Sequence, residues 1–134
     1  FLCIVIANDS LAWVFGILFG KNNRNFIAAS PNKSIAGFVA GLAASTLVGM
    51  GIALLFPKIF MSARFAPLVS GVILGVLTGI AGMLGDLAES ALKRSAGVKD
   101  SGFIIPGRGG VLDSIDSLAF AAPVYYVVYR LLFI

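Results

Sequence analysis

The sequence predicts an all-α, polytopic bundle of about four transmembrane helices. Three observations predict it. The chain of 134 residues is 59% hydrophobic and only 12% charged, about half the charged share of an ordinary globular domain (roughly 25%). A soluble domain of this size buries only about two-thirds of its surface, too little to hide so many apolar side chains, and a disordered chain is polar and charge-rich. The apolar residues also fall in long runs, without the alternation over about ten residues that a barrel strand needs. A backbone in lipid must satisfy its own hydrogen bonds, so runs of this kind cross as helices.

A crossing helix needs about 20 mostly apolar residues. Residues 1–20 form the first span, with one charge, Asp9, near the middle. Residues 35–57 carry no charge and form the second. Residues 65–85 are uncharged, and no breaking signal separates them from Asp86, so the third helix is expected over 65–95, its end projecting into the cytoplasm. Residues 117–134 form the fourth, broken only by Arg130 near its end. Gly71, Gly75 and Gly79 are spaced by four, as are Gly37 and Gly41, and small residues at that spacing let membrane helices approach closely.

The connections carry the charge. Residues 21–34 hold Lys21, Arg24 and Lys33; residues 58–64 hold Lys58 and Arg64; residues 86–116 hold nine charges. Two spans separate the first connection from the third, so these two share a side. With Lys93, Arg94, Lys99 and Arg108, that side carries seven basic residues, which places it in the cytoplasm. The net charge of +4 in a soluble protein would raise nucleic acid as a partner. Here it is read as loops facing an anionic leaflet, and no nucleic-acid partner is expected. A single cysteine, Cys3, excludes an internal disulfide, and the absence of histidine excludes histidine metal ligands and Ser-His-Asp chemistry. Phe1–Ala7 has no basic region or cleavage signal of a secretory leader. The chain opens inside an apolar run, without an initiator Met, and is read as a piece of a longer protein.

The informative stretch is 86–116, with four basic residues (Lys93, Arg94, Lys99, Arg108) and five acidic ones (Asp86, Glu89, Asp100, Asp113, Asp116). On a continued third helix, Asp86, Glu89 and Lys93 share a face, and Glu89 can pair with Lys93 at i,i+4. Such a pair also suits a solvated helix end, whereas ionisable groups at membrane depth are functional candidates. Pro106–Gly110 reads as a turn whose amides, with Arg108, can hold phosphate; an ordinary turn has the same sequence. Asp113 and Asp116 point the same way on a helix entering the membrane. Two carboxylates so placed repel unless a cation lies between them, and hard cations such as Mg²⁺ take carboxylate oxygens together with substrate phosphates. The competing reading is a helix N-terminus, capped by Asp113 or Ser114, with Asp116 favouring the dipole. Asp9 can approach the same region, or serve as a lone polar contact between helices. Carboxylates for a divalent metal beside cations for phosphate are what phosphoryl or nucleotidyl transfer requires.

The run Ser90-Ala-Leu-Lys93-Arg94, four residues, Lys99-Asp100-Ser-Gly102, Ile105-Pro106-Gly-Arg108-Gly109-Gly110-Val111, Asp113, Ile115-Asp116 resembles the signature of the phosphatidate cytidylyltransferase (CDP-diacylglycerol synthase) family. Ala7-Asn8-Asp9-Ser10 with Phe19-Gly20-Lys21, and Ser30-Pro31-Asn-Lys33-Ser34 with Gly37, resemble that family's first Asp-containing span and its Ser-Pro-x-Lys loop. Gly85-Asp86-Leu87 with Glu89-Ser90 matches the helix leading into the signature. Two positions depart from the pattern. Arg108 stands where the family often has His, and Ser114 stands where it usually has Arg.

The resemblance covers essentially the whole chain. It implies that residues 1–134 are the C-terminal catalytic membrane domain of a protein whose N-terminal spans lie outside this sequence. The implied reaction transfers CMP from CTP to phosphatidate, giving CDP-diacylglycerol and pyrophosphate for phospholipid biosynthesis. The resemblance implies Mg²⁺ at Asp86, Asp113 and Asp116, and leaves room for a second, monovalent cation. Lys93 and Arg94 join Asp113 and Asp116 as catalytic residues. Lys99, Arg108, Gly109 and Gly110 bind substrate phosphate, and Asp9, Glu89 and Asp100 support. A homodimer is expected, with the glycine-lined helices as candidates for its packing, in a bacterial-type inner membrane with the active site facing the cytoplasm. The alternatives are a CTP-dependent lipid-alcohol kinase and a cation channel or transporter lined by Asp9, Asp86, Asp113 and Asp116.

Overall fold

Serine and proline open two of the helices. Ser34 is the N-cap of the second, its Oγ accepting from the backbone N–H of Gly37 at 3.0 Å; Pro67 begins the third, where its missing N–H costs nothing. In this computed structural model, which describes residues 1–24, 27, 30–98, 101–102 and 110–134, the elements are α1 (Leu2–Phe19), α2 (Ile35–Leu55), α3 (Pro67–Ser95) and α4 (Leu112–Phe133), with a 3₁₀ turn at Pro57–Phe60. Among the described residues there is no strand, only an isolated bridge between Arg24 and Ser34. All four helices are long and apolar enough to cross a membrane. The expected all-α, four-span bundle is therefore the observed one.

The helices run antiparallel in sequence order: the small-residue contacts reverse from α1 to α2 and from α2 to α3, while Lys93 near the end of α3 meets Asp113 at the start of α4 and Leu74 packs with Val128 and Leu132. Gly37 meets the backbone of Ala12 and Gly41 meets Asn8, joining α2 to α1. Gly49 meets Gly71, and Gly75 meets Ser45, joining α2 to α3. Gly82 and Gly85 meet Ser117 and Phe120, joining α3 to α4. At Gly75 a Cβ would lie 2.5 Å from the Ser45 carbonyl oxygen and 2.8 Å from the Thr46 Cα, closer than real Cβ contacts, so only glycine allows this seam. The glycine rows expected to mediate close approach do so within the chain.

Helix α3 is the central one, with α2 on its Gly71–Gly79 face and α4 on its Gly82–Gly85 face. Two apolar clusters fill the remaining space: Ala53, Phe60, Leu74, Val128 and Leu132 toward one end, and Val5, Ala81 and Ala121 nearer the middle. At 29 residues, α3 is about 43 Å long at 1.5 Å per residue, against a hydrocarbon core of about 30 Å. Its last turns therefore project beyond the lipid. It closes in a Schellman arrangement, with Val98 N–H bonded to Lys93 O and Gly97 N–H to Arg94 O. Gly97 supplies the left-handed residue (φ 69°) that this cap needs.

Helix α4 begins at Leu112, five residues earlier than the expected start at 117. Asp113 and Asp116 thus lie in its first turns. Its N-cap is Val111, with no side-chain cap, so neither Asp113 nor Ser114 plays the capping role.

Candidate active site

The polar residues of α1, α3 and α4 gather toward the end where the 20–34 and 96–111 connections emerge. They form two separate units.

The first unit is open. A cleft of about 1010 Å³ is lined by Asp9 of α1, Lys33 of the first connection, Asp86 of α3, and Asp116 of α4. Lys33 pairs with Asp86 and holds its ammonium 5.8 Å from the Phe38 ring centroid. The loop that delivers Lys33 is fixed at its base: Ile35 N–H donates to Asn23 O at 3.1 Å, and Ser34 caps α2. Asp9 accepts from Ser117 Oγ at 2.6 Å, and Asp116 Oδ1 accepts from Ser117 N–H at 2.7 Å. Ser117 therefore ties α1 to α4 at the cleft floor. The charges of Asp86, Asp9 and Lys33 all act on Asp116, so three carboxylates and one ammonium share this space. Arg24 also lines the cleft, its guanidinium donating to Gly16 O at 3.2 Å.

Behind the floor lies Asn8, 1% exposed. Its amide fills the space that side chains at Gly41 and Gly79 would occupy: a Cβ on Gly41 would lie 2.8 Å from its Oδ1, and one on Gly79 2.8 Å from its Nδ2.

The second unit is closed. Lys93 bridges Glu89 Oε2 at 2.7 Å and Asp113 Oδ1 at 2.5 Å. The other Asp113 oxygen accepts from Ser101 N–H at 2.8 Å, Ser101 Oγ at 2.7 Å and Gly110 N–H at 2.7 Å. Asp113 N–H in turn donates to Ser101 Oγ at 3.3 Å. The Glu89 and Asp113 side chains are only 5% and 6% exposed.

The expected site residues thus divide. Asp9, Asp86 and Asp116 come together at the cleft. Asp113 lines it too, but its carboxylate is spent on Lys93, Ser101 and Gly110. Asp86, Asp113 and Asp116 therefore do not form the three-carboxylate set that the resemblance implies, and among the described residues no three acidic, cysteine or histidine side chains converge to hold a metal. The repulsion foreseen between Asp113 and Asp116 is relieved by separation into two units. Glu89 and Lys93 belong to the closed unit and do not line the cleft, and Arg94 is exposed beyond it. Gly110 lies in the closed unit. Lys99, Asp100, Arg108 and Gly109 lie outside the described residues. Sequence reasoning assigned no site role to Lys33, Ser101 or Ser117. A signal existed only for Lys33, in the Ser-Pro-x-Lys loop.

A four-helix polytopic fold with a carboxylate-and-lysine cleft at one end defines an integral membrane protein. The chain belongs to the cytidylyltransferase family, whose model matches residues 1–132. It is 44% identical over 133 residues to a phosphatidate cytidylyltransferase of Synechocystis sp., covering 98% of this chain and 42% of that protein. It is 40% identical over 125 residues to one of Staphylococcus haemolyticus, covering 93% and 45%. It is also 40% identical over 131 residues to the chloroplastic phosphatidate cytidylyltransferase 5 of Arabidopsis thaliana, covering 96% and 30%. The chain therefore spans less than half the length of these relatives.

Proposed function

We propose that the protein carrying this chain transfers CMP from CTP to phosphatidate, as the names of its relatives describe. An oxygen of the phosphatidate phosphate attacks the α-phosphorus of CTP, the bond from that phosphorus to the bridging oxygen breaks, and pyrophosphate leaves. The observation that carries this reading is the cleft lined by Asp9, Asp86, Asp116 and Lys33 at one end of the bundle. It offers opposite charges for a metal and for phosphate in one place. The acceptor needs no general base, because a phosphate monoester with a second pKa of about 6 is already largely ionised at neutral pH.

The donor chemistry suits Mg²⁺. Its ligands are oxygens, and it is commonly held by only one or two carboxylates plus substrate phosphates, so a three-carboxylate cluster is not required. Asp86 and Asp116 would hold it against the triphosphate, where it would offset the charge of the leaving pyrophosphate. Lys33 would move from Asp86 to a phosphate oxygen, and Arg24 would face the same anion. Lys99, Arg108 and Gly109 keep the phosphate-binding role that the resemblance implies. The seven basic residues of the two connections on this side support a cytoplasmic site in a bacterial-type inner membrane. The implied homodimer would use faces other than the glycine seams, which are occupied within the chain. The channel alternative calls for carboxylates strung along a path, whereas these gather toward one end.

The test is a purified, reconstituted preparation of the protein with α-labelled CTP, phosphatidate and Mg²⁺. Label in a lipid-linked cytidine product, lost on omitting Mg²⁺ or phosphatidate, is the expected result. Label reaching lipid only from the γ-phosphate of CTP, with a lipid alcohol as acceptor, would overturn the proposal in favour of the kinase.

A further inference from the structure

A serine or threonine within a helix can turn its hydroxyl back onto its own backbone. Ser45 and Thr46 do so on α2, both to Leu42 O, and Ser95 does so on α3, to Leu92 O. Ser117 does not. It is 5% exposed, and its hydroxyl donates across the bundle to Asp9 Oδ2 at 2.6 Å, 108 residues away in the chain. A bond of this length to a carboxylate is charge-assisted. The packing explains why the two meet. Val5 and Asp9 are one turn apart and share a face of α1, as Ala121 and Ser117 share a face of α4. Val5 and Ala121 belong to one buried cluster, and Asp9 reaches Ser117 one turn along each helix. Helices α1 and α4 thus meet in two rungs, an apolar one away from the cleft and a polar one at it. Helix α3 closes the third side at Gly82, where an added Cβ would lie 3.7 Å from Ser117 Cβ and 4.0 Å from Val5 Cγ1. Ala121 and Ser117 are small, which lets α1 come this close.

We infer that Ser117 is a positioning residue: its hydroxyl fixes the Asp9 carboxylate of α1 against the first turns of α4, beside Asp116, and so sets the negative charge that draws a divalent cation to Asp86 and Asp116. One residue touches both carboxylates, because the Ser117 N–H also donates to Asp116 Oδ1 at 2.7 Å. Asp9, Asp86 and Asp116 all line the cleft, and the charges of Asp9 and Asp86 act on Asp116. Like charges held together repel until a cation lies among them. A carboxylate released from Ser117 turns away from that repulsion, and its pull on the cation weakens. The hydroxyl keeps Asp9 in place, so the cleft is arranged for the cation before the cation arrives. Asp9 acts here through its charge, without being a ligand.

This inference rests on the proposed function for its Mg²⁺, and its first readout needs no turnover. A cation that binds the folded protein stabilises it by mass action, so Mg²⁺ is titrated against the melting temperature of the purified protein in detergent, without CTP. Ser117→Ala removes one hydrogen bond to a charged group, a loss that corresponds to about tenfold or more in binding. The expected result is a Mg²⁺ midpoint about tenfold higher in Ser117→Ala, with the same displacement in the Mg²⁺ dependence of turnover and turnover recovered at high Mg²⁺. Ser117→Thr keeps the hydroxyl, and Gly82, with no Cβ of its own, leaves room for the added methyl; it restores the wild-type midpoint. Ser117→Ala adds nothing to the midpoint of Asp9→Asn, because the charge that Ser117 positions is already gone. An unmoved midpoint in Ser117→Ala, even with a lower melting temperature in the absence of Mg²⁺, marks a merely structural role and would overturn the inference. So would additive shifts in the double variant, or a threonine variant no better than alanine. A wild-type melting temperature indifferent to Mg²⁺ would overturn the inference together with the metal site. A wild type that responds to Mg²⁺ as described but forms no lipid-linked cytidine would refute the transfer reaction and leave the role of Ser117 standing.

Discussion

Replacing Lys93 with methionine keeps the unbranched apolar stem of the side chain and removes its terminal ammonium. The consequence follows from two distances. Lys93 Nζ lies 2.7 Å from Glu89 Oε2 and 2.5 Å from Asp113 Oδ1, so those oxygens are at most about 5.2 Å apart, and both side chains are almost fully buried. Without the ammonium, two negative charges face each other across that gap. At an effective dielectric near 20 they repel by about 3 kcal/mol, in line with the ~3–5 kcal/mol lost when one partner of a buried ion pair is removed. The assay is equilibrium unfolding of the purified protein in mixed micelles, wild type against Lys93→Met. The neutralised set Lys93→Met, Glu89→Gln and Asp113→Asn is the control. Most of the loss should return in the triple variant, because no uncompensated charge remains. A loss under about 1 kcal/mol, the size expected of a solvent-screened surface pair, would refute the reasoning, as would a triple variant no better than the single one.

The other predictions concern the cleft and the helix seams. Asp86→Asn or Asp116→Asn should lower turnover by orders of magnitude, with the surviving activity needing more Mg²⁺; wild-type rates and Mg²⁺ titrations in both would remove the metal from this pair. Gly75→Leu places a branched side chain where even a Cβ would lie 2.5 Å from the Ser45 carbonyl oxygen. It should destabilise the bundle by at least the ~1–3 kcal/mol of ordinary overpacking, read as a lower melting temperature in detergent. Gly51, whose added Cβ would meet nothing within 4 Å, is the control position, and Gly51→Leu should melt near the wild type.

The four helices were legible because composition leaves a lipid-spanning backbone few options, and three of them begin and end within about two residues of the expected spans 1–20, 35–57 and 65–95. The start of α4 was misplaced for a physical reason. The apolar run begins only after Asp116, which bounds the expected span at 117, but acidic groups favour a helix N-terminus, and Asp113 is further neutralised by Lys93. The partners of the polar groups were less legible. Lys33 in a polar connection has the appearance of an orientation signal, and only the antiparallel packing of α2 between α1 and α3 brings it to Asp86. Ser101 and Ser117 carry no signal in a single sequence, since serine is common at loop ends and helix starts. The Glu89–Lys93 pair followed from i,i+4 spacing alone, whereas its extension to Asp113 required the return of the chain through α4.

The nine charges between Asp86 and Asp116 look, along the sequence, like one nearly neutral cluster built for one task. In three dimensions, those among the described residues are sorted by solvent access. Glu89, Lys93 and Asp113 are sealed together, and a carboxylate so saturated has little left to give a substrate. Asp86 and Asp116 face a cleft in which their counter-charge, Lys33, comes from a different connection and is held to Asp86 by a pair whose side chains are 22% and 40% exposed. That pair is screened by water and therefore weak, which suits the exchange of a carboxylate for a phosphate that the proposed reaction asks of Lys33. The buried group ties α3 to α4, whereas the exposed pair is the weaker one. Reading the acidic residues by their spacing in the signature hides this division, because Asp113 and Asp116, three residues apart on the same helix face, belong to opposite sides of it.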